Sequence, residues 1–119
     1  MFYLLGIIAV SGLIDAYSTK GKNLTLYGKA TQSSLLGNPW APFGHGYNAI
    51  DGNTDSNYNH GSCTATNSQQ NPWWRLDLLD EYTVTAIITN RVEGYPERLN
   101  GAEIHIGNSL CNNGNDNPR

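Results

Sequence analysis

Charge is scarce in this chain. Seven Lys and Arg and ten Asp and Glu stand among 119 residues, a formal net charge of −3. The cations are scattered, so there is no basic stripe to follow a phosphate backbone. There is also no Lys/Arg cluster to hold an anionic bilayer surface. Nucleic acid and membrane insertion are set aside on these grounds. Long apolar runs are missing too: the longest, Phe2 to Ile14, is short of the ~20 residues a membrane-crossing helix needs. The part that follows has no apolar stripe at helical spacing. A Gly-x-Ser-x-Gly nucleophile motif is lacking. The carboxylates of Asp51, Asp77, Glu93 and Glu97 are better used as metal ligands or ion-pair partners than as the facing pair of a glycosidase. The chain is therefore read as a binding protein and not as an enzyme.

What is present starts with compartment. The Phe2–Ile14 run is followed by small residues, with Ala16 and Ser18 at signal-peptidase spacing. Residues 1–18 are expected to be a secretory signal peptide, and the protein to be extracellular. No Lys or Arg precedes the run, and the alternatives are a buried strand or helix that starts the fold, or an uncleaved anchor. Residues 19–119 then make one domain by size. Asn23-Leu24-Thr25 is a glycosylation acceptor that suits a secreted chain. Cys63 and Cys111 can pair with each other in such a compartment, or each with a partner elsewhere.

The mature part reads as strands joined by long polar loops. Leu24–Lys29 alternates briefly, Trp73–Leu78 alternates apolar and polar residues, and Ala102–Gly107 alternates again. Tyr82–Thr89 is rich in β-branched residues and is expected as a central strand. The fold class expected is all-β, a sandwich of the jelly-roll kind. Only four or five strands are visible where such a sandwich needs about eight, so the C-terminal strands are expected to be missing.

Three stretches carry chemistry. Asn48-Ala49-Ile50-Asp51-Gly52-Asn53-Thr54-Asp55-Ser56-Asn57 repeats oxygen-bearing side chains through a glycine-containing loop. Hard cations take about six to eight oxygens of this type, while Asx residues also make hydrogen-bonded turns with no ion. Asn71-Pro72-Trp73-Trp74-Arg75-Leu76-Asp77-Leu78 should put one tryptophan in the core and the other on the opposite face, with Arg75 and Asp77 able to pair. Arg91-Val92-Glu93-Gly94-Tyr95-Pro96-Glu97-Arg98 sets two guanidinium forks and an aromatic face on one loop. Forked donors suit vicinal hydroxyls or carboxylates, and Glu93 and Glu97 can orient them. A solvated loop with surface ion pairs is the competing reading.

Taken together, these stretches resemble the F-type lectin, or fucolectin, family. The matching text runs through Gly28-Lys29-Ala30-Thr31-Gln32-Ser33-Ser34, Asn48-Ala49-Ile50-Asp51-Gly52-Asn53, His60-Gly61-Ser62-Cys63-Thr64, Asn71-Pro72-Trp73-Trp74-Arg75, Thr89-Asn90-Arg91 and Asn100-Gly101-Ala102-Glu103-Ile104. The resemblance implies a discoidin-like jelly roll shared with the coagulation factor type C domains. It implies a Ca²⁺-dependent lectin for L-fucose on glycans, acting in innate immune or cell recognition. It assigns the sugar to Arg91 and Arg98, with Glu93 and Tyr95 beside them, and the Ca²⁺ to Asn48, Asp51, Asn53 and Ser62. It further implies that Cys63 bridges to a cysteine near the domain's C-terminus. Assembly of identical copies is left open. The chain departs from the family at Ala65, where a sugar-binding histidine is expected, and at Gly94-Tyr95, where two cysteines stand. Residues Leu35–Tyr47, with Trp40, Phe43 and His45, are expected to decide which glycan is preferred.

Overall fold

The structure is a computed structural model that describes residues 2–5, 11–18 and 21–119. Two antiparallel sheets form an all-β sandwich. The strands are β1 (Phe2–Leu5), β2 (Ser11–Ser18), β3 (Lys29–Gln32), β4 (Thr64–Ala65), β5 (Trp73–Asp77), β6 (Val84–Asn90) and β7 (Glu103–Ile106). One sheet has the order β3-β5-β1-β7 and the other β4-β2-β6. The segment read as a signal peptide thus supplies a strand between two neighbours in each sheet. β1 is in register with β5 (Leu4 opposite Trp74) and with β7 (Leu4 opposite Ile104). β2 pairs with β4 and, along its full length, with β6.

β5 shows how sequence sets the core. Side chains alternate across a strand, and Trp74, Leu76 and Leu78 are buried while Trp73, Arg75 and Asp77 are half-buried. The buried set packs with Leu24, Ala49 and Ile50, and with Ala30 of β3 and Ile88 of β6. Arg75 and Asp77 share the outer face as expected but do not pair. The Arg75 guanidinium lies 5.6 Å from the Trp73 ring and donates to Asn113 Oδ1 at 3.2 Å. The Asp77 carboxylate accepts the Leu79 N–H at 2.9 Å and turns the chain out of the strand.

Three sequence expectations are corrected. Leu24–Lys29 is not a strand: Asn23 Oδ1 accepts from both the N–H and the hydroxyl of Thr25, and Thr25–Tyr27 winds into a 3₁₀ turn before β3 starts at Lys29. The β-branched run forms β6, but at the edge of its sheet rather than its centre. In β7 the hydrophobic pattern is inverted, because His105 is buried while Ile104 and Ile106 are exposed. Residues following β7 explain this: His105 Nδ1 is 2.7 Å from the Asn117 carbonyl, and the Ile106 N–H donates to the Pro118 carbonyl at 3.0 Å.

A second small cluster, Tyr58, Cys63 and Ala65 with Leu36 and Phe43, sits beneath the loops. Gln32 ties these loops to the sheet. Its amide nitrogen donates to the carbonyls of Ser34 (2.7 Å), Gly44 (3.2 Å) and Ala65 (3.1 Å), and its oxygen accepts from the Thr64 hydroxyl (2.6 Å). A buried network with its groups paired holds one loop conformation. Trp74 adds to it by donating its indole N–H to the Gly46 carbonyl at 3.1 Å. The loop of residues 33–48 is thereby fixed over one end of the sandwich.

Candidate functional site

That end carries a cavity of about 410 Å³ lined by Leu36, Trp40, Tyr58, Asn59, Arg91, Tyr95 and Arg98. Three separate loops build it. Tyr58 is buried, with its hydroxyl donating to the Trp40 carbonyl at 3.1 Å and its ring 6.3 Å from Phe43. The Arg91 guanidinium lies 4.5 Å from the Tyr58 ring and 5.8 Å from the Tyr95 ring, and the Arg98 guanidinium lies 4.3 Å from that same Tyr95 ring. Cation–π contacts contribute about 0.5–2 kcal/mol, more where water is excluded. Burial is the largest influence on the Tyr58 hydroxyl and pushes it above the usual tyrosine range, against the pull of the two guanidinium groups.

Glu93 does not line the cavity and acts from behind it. Its Oε1 meets Arg91 Nη2 at 2.6 Å and accepts the Tyr58 N–H at 2.6 Å, while its carbonyl accepts from Arg91 Nε at 2.8 Å. The Arg91 side chain is 8% exposed and that of Glu93 27%. Such a pair orients a guanidinium firmly, and breaking it leaves a poorly hydrated charge. The Val92 N–H donates to the Ser56 carbonyl at 3.2 Å, joining the arginine loop to the Asx loop. Gly94 (φ 50°) and Tyr95 (φ 58°) are both left-handed. A tyrosine in that region is uncommon, and here the turn presents its ring to both arginines.

Of the sugar residues expected from sequence, Arg91, Arg98 and Tyr95 converge on this cavity. Leu36 and Trp40 come from the loop expected to set preference; Phe43 supports Tyr58 from below. His45 lies elsewhere, lining a smaller hollow of about 200 Å³ with Ala30 and Tyr47. Ala65 is buried, and its backbone pairs with Leu36 and Gly44. His60 is not in the cavity either; its Nδ1 is 2.5 Å from Asp55 Oδ2. Sequence reasoning missed Tyr58 and Asn59. The adjacent His-Gly-Ser-Cys stretch was the available signal, since it fixes where the preceding turn must lie.

The expected cation ligands fall in the Asx loop. Asp51 Oδ1 accepts the Asn53 N–H (2.8 Å), Asn53 Oδ1 that of Asp55 (3.1 Å), Asp55 Oδ1 that of Asn57 (2.9 Å), and Asn57 Oδ1 that of Asn59 (3.0 Å). The turn reading is therefore realised as a ladder that ends at the cavity wall. Ser62 is buried and its hydroxyl donates to the Asp55 carbonyl; the Asn48 amide nitrogen faces the Pro42 carbonyl at 3.5 Å. These are hard oxygen donors, which fits a hard cation. Each of them is bonded to, or faces, a different backbone group, and among the described residues no three His, Cys, Asp or Glu side chains gather.

The bond from the Asn57 N–H, and then the contact with His60, hold the Asp55 carboxyl below the usual carboxylate range. A lowered folded value stabilises the turn at pH above the unfolded value and is lost as pH falls through the folded one. Acidification below the ordinary aspartate range is expected to loosen residues 55–60, and Asp55→Asn to remove that dependence. Amide exchange at Asn57, followed against pH, checks this; an acid-insensitive Asn57 amide in the parent chain refutes it.

Both cysteines are free thiols, Cys63 buried and Cys111 exposed, so they do not bridge to each other. Burial pushes the Cys63 thiol above its usual range. No described helix is long and apolar enough to cross a membrane.

Comparison with known proteins agrees with this architecture. Residues 48–118 match the F5/F8 type C family model described as a NedA-like, galactose-binding domain. Fucolectin-4 of Anguilla japonica is 56% identical over 99 residues, covering 82% of this chain and 55% of that protein. Fucolectin of Anguilla anguilla is 53% identical over 98 residues, covering 82% of this chain and 62% of that protein. The pentraxin fusion protein of Xenopus laevis is 43% identical over 89 residues, covering 74% of this chain and 20% of that protein. No solved structure matches the chain at a comparable level. The chain spans little more than half the length of the fucolectins it matches. With the sandwich, the arginine loop and these identities in agreement, the chain belongs to the fucolectin family of F5/F8 type C-like, galactose-binding domains.

Proposed function

We propose that the protein is a secreted lectin that recognises L-fucose on glycans, in innate immune or cell recognition. One observation carries the reading: two guanidinium groups and the rings of Tyr58, Tyr95 and Trp40 surround one open cavity of about 410 Å³. Sugars present hydroxyls at their edges and C–H groups on their faces. Forked donors suit the first, and aromatic walls suit the second. Glu93 fixes Arg91 in advance, which lowers the ordering cost of binding. The relatives' name, fucolectin, selects fucose among sugars that this chemistry accommodates. Those relatives are named as lectins and not as enzymes. Titration of the chain with L-fucose, D-galactose and D-mannose tests the proposal. Fucose should bind best; equal affinity for all three, or none, would end it.

Calcium belongs to the same proposal. Asn48, Asp51, Asn53 and Ser62 would hold it, and its charge would brace the Asx ladder that carries Tyr58 and Asn59. A ligand bound only by the folded state stabilises it by about 2.7 kcal/mol at a hundredfold excess over its dissociation constant. Thermal melts with Ca²⁺ should lie above melts with a chelator, and Asp51→Ala should abolish the difference. Superimposable melts would remove calcium from the account.

A second reading is an adhesion or accessory module within a longer secreted protein. It is favoured by the Xenopus laevis relative, a fusion protein of which this chain matches 20%.

A further inference from the structure

We propose that the cavity takes an acidic glycan, one bearing a sulfate ester or carboxylate beside its neutral reading ring, and that Arg98 selects the acid group. The inference rests on the sugar-binding reading and narrows its substrate class. Seven residues line the cavity, two of them arginines and none of them acidic. The two cations are not equivalent. Arg91 is neutralised by Glu93 at 2.6 Å from outside the lining. Arg98 has no carboxylate within ion-pair distance among the described residues, although Glu97 precedes it in the chain. Its one side-chain partner there is the Tyr95 ring at 4.3 Å.

Stacking of this kind occupies the face of a guanidinium and leaves the N–H groups at its edge available. The Arg91 guanidinium lies 5.8 Å from the centroid of the same ring and already has Glu93 as its countercharge. An anion between Arg98 and the cavity mouth supplies Arg98 with a countercharge of its own, which a neutral hydroxyl does only weakly. Charge-assisted bonds to an oxyanion are about twice as strong as neutral ones. Space is also present. The cavity has a volume of about 410 Å³, and Trp40 (49% exposed) stands in its lining as an open stacking face.

The test compares methyl α-L-fucoside, the same fucoside carrying a sulfate ester, a fucosyl disaccharide containing a uronic acid, and the matching sulfated galactoside. Calorimetric titration of the full chain is run at low and high salt. At low salt the sulfated or carboxylated fucoside should bind about tenfold more tightly than the neutral one, and salt should erode the advantage. Arg98→Gln should bring the charged-to-neutral ratio close to one, while Arg98→Lys should keep part of it. Circular dichroism confirms that each variant is folded. Whichever acid shows the larger advantage identifies the source of the charge. Equal affinity for charged and neutral fucosides overturns the proposal and leaves the fucose reading standing. Binding of the sulfated galactoside without any fucoside supports the acid site and overturns fucose instead. No binding of any of the four overturns both.

Discussion

Trp74→Ala is expected to lower stability by about 3–5 kcal/mol, the largest loss from any single side chain of this core. Trp74 is fully buried between Leu76, Ile50 and Ala49 and lies on the strand in register with both β1 and β3. Truncation removes its packing and leaves a cavity that the two sheets cannot close, because their spacing is set by many other contacts. It also removes the indole donor to the Gly46 carbonyl. A domain of this size is stable by only about 5–15 kcal/mol, so the variant stands near the unfolding threshold. Trp74→Phe separates the two contributions: it keeps most of the volume and leaves the Gly46 carbonyl without its donor, costing about 1–3 kcal/mol. Urea denaturation followed by circular dichroism measures both. An alanine variant within about 1 kcal/mol of the parent would show that the burial of Trp74 has been misplaced.

Arg91→Ala and Arg98→Ala should differ in kind. Each should weaken fucose binding by about ten- to a hundredfold, the equivalent of one charge-assisted hydrogen bond of roughly 1.5–3 kcal/mol. Only Arg91→Ala should also destabilise the fold, because Glu93 would be left with its charge three-quarters buried and unmatched. Breaking a buried pair costs about 3–5 kcal/mol, and partial exposure of Glu93 places the expectation at or below the lower end. One carboxylate oxygen of Glu93 is already buried without a partner, so the group has no reserve of solvation. Pairing Arg91→Ala with Glu93→Gln should recover stability but not binding. Melting curves beside titrations check this contrast. Identical melts for the two alanine variants would mean that the Arg91–Glu93 pair adds nothing to the fold. Undiminished fucose binding by both would place the sugar elsewhere.

How much of this was legible beforehand depended on the range of the interactions. β5 could be read from sequence because its pleat is local, with Trp74, Leu76 and Leu78 on one face. Arg91, Tyr95 and Arg98 could be read because one loop carries all three. The floor and rim of the cavity could not, since Tyr58, Asn59, Leu36 and Trp40 arrive from two other loops through pairings such as Val92 with Ser56 and Gln32 with Gly44. β4, with two residues, is too short for any period to show. Leu24–Lys29 looked like a strand because its hydrophobic spacing allows one; a single Asn23 side chain decides for the turn at Thr25–Tyr27. Burial of His105 is invisible locally, because its partner carbonyl lies twelve residues further along at Asn117.

The position of β1 and β2 has a consequence for biosynthesis. β1 is paired with β7 and β2 with β6, so each of these strands has to wait on a partner far along the chain. Pairings so distant along a chain form slowly. An export peptidase acting after Ser18 would meet that segment long before its neighbours exist. Cutting there would part β7 from β3–β5 and β4 from β6, leaving open hydrogen-bonding edges of the kind that recruit other strands.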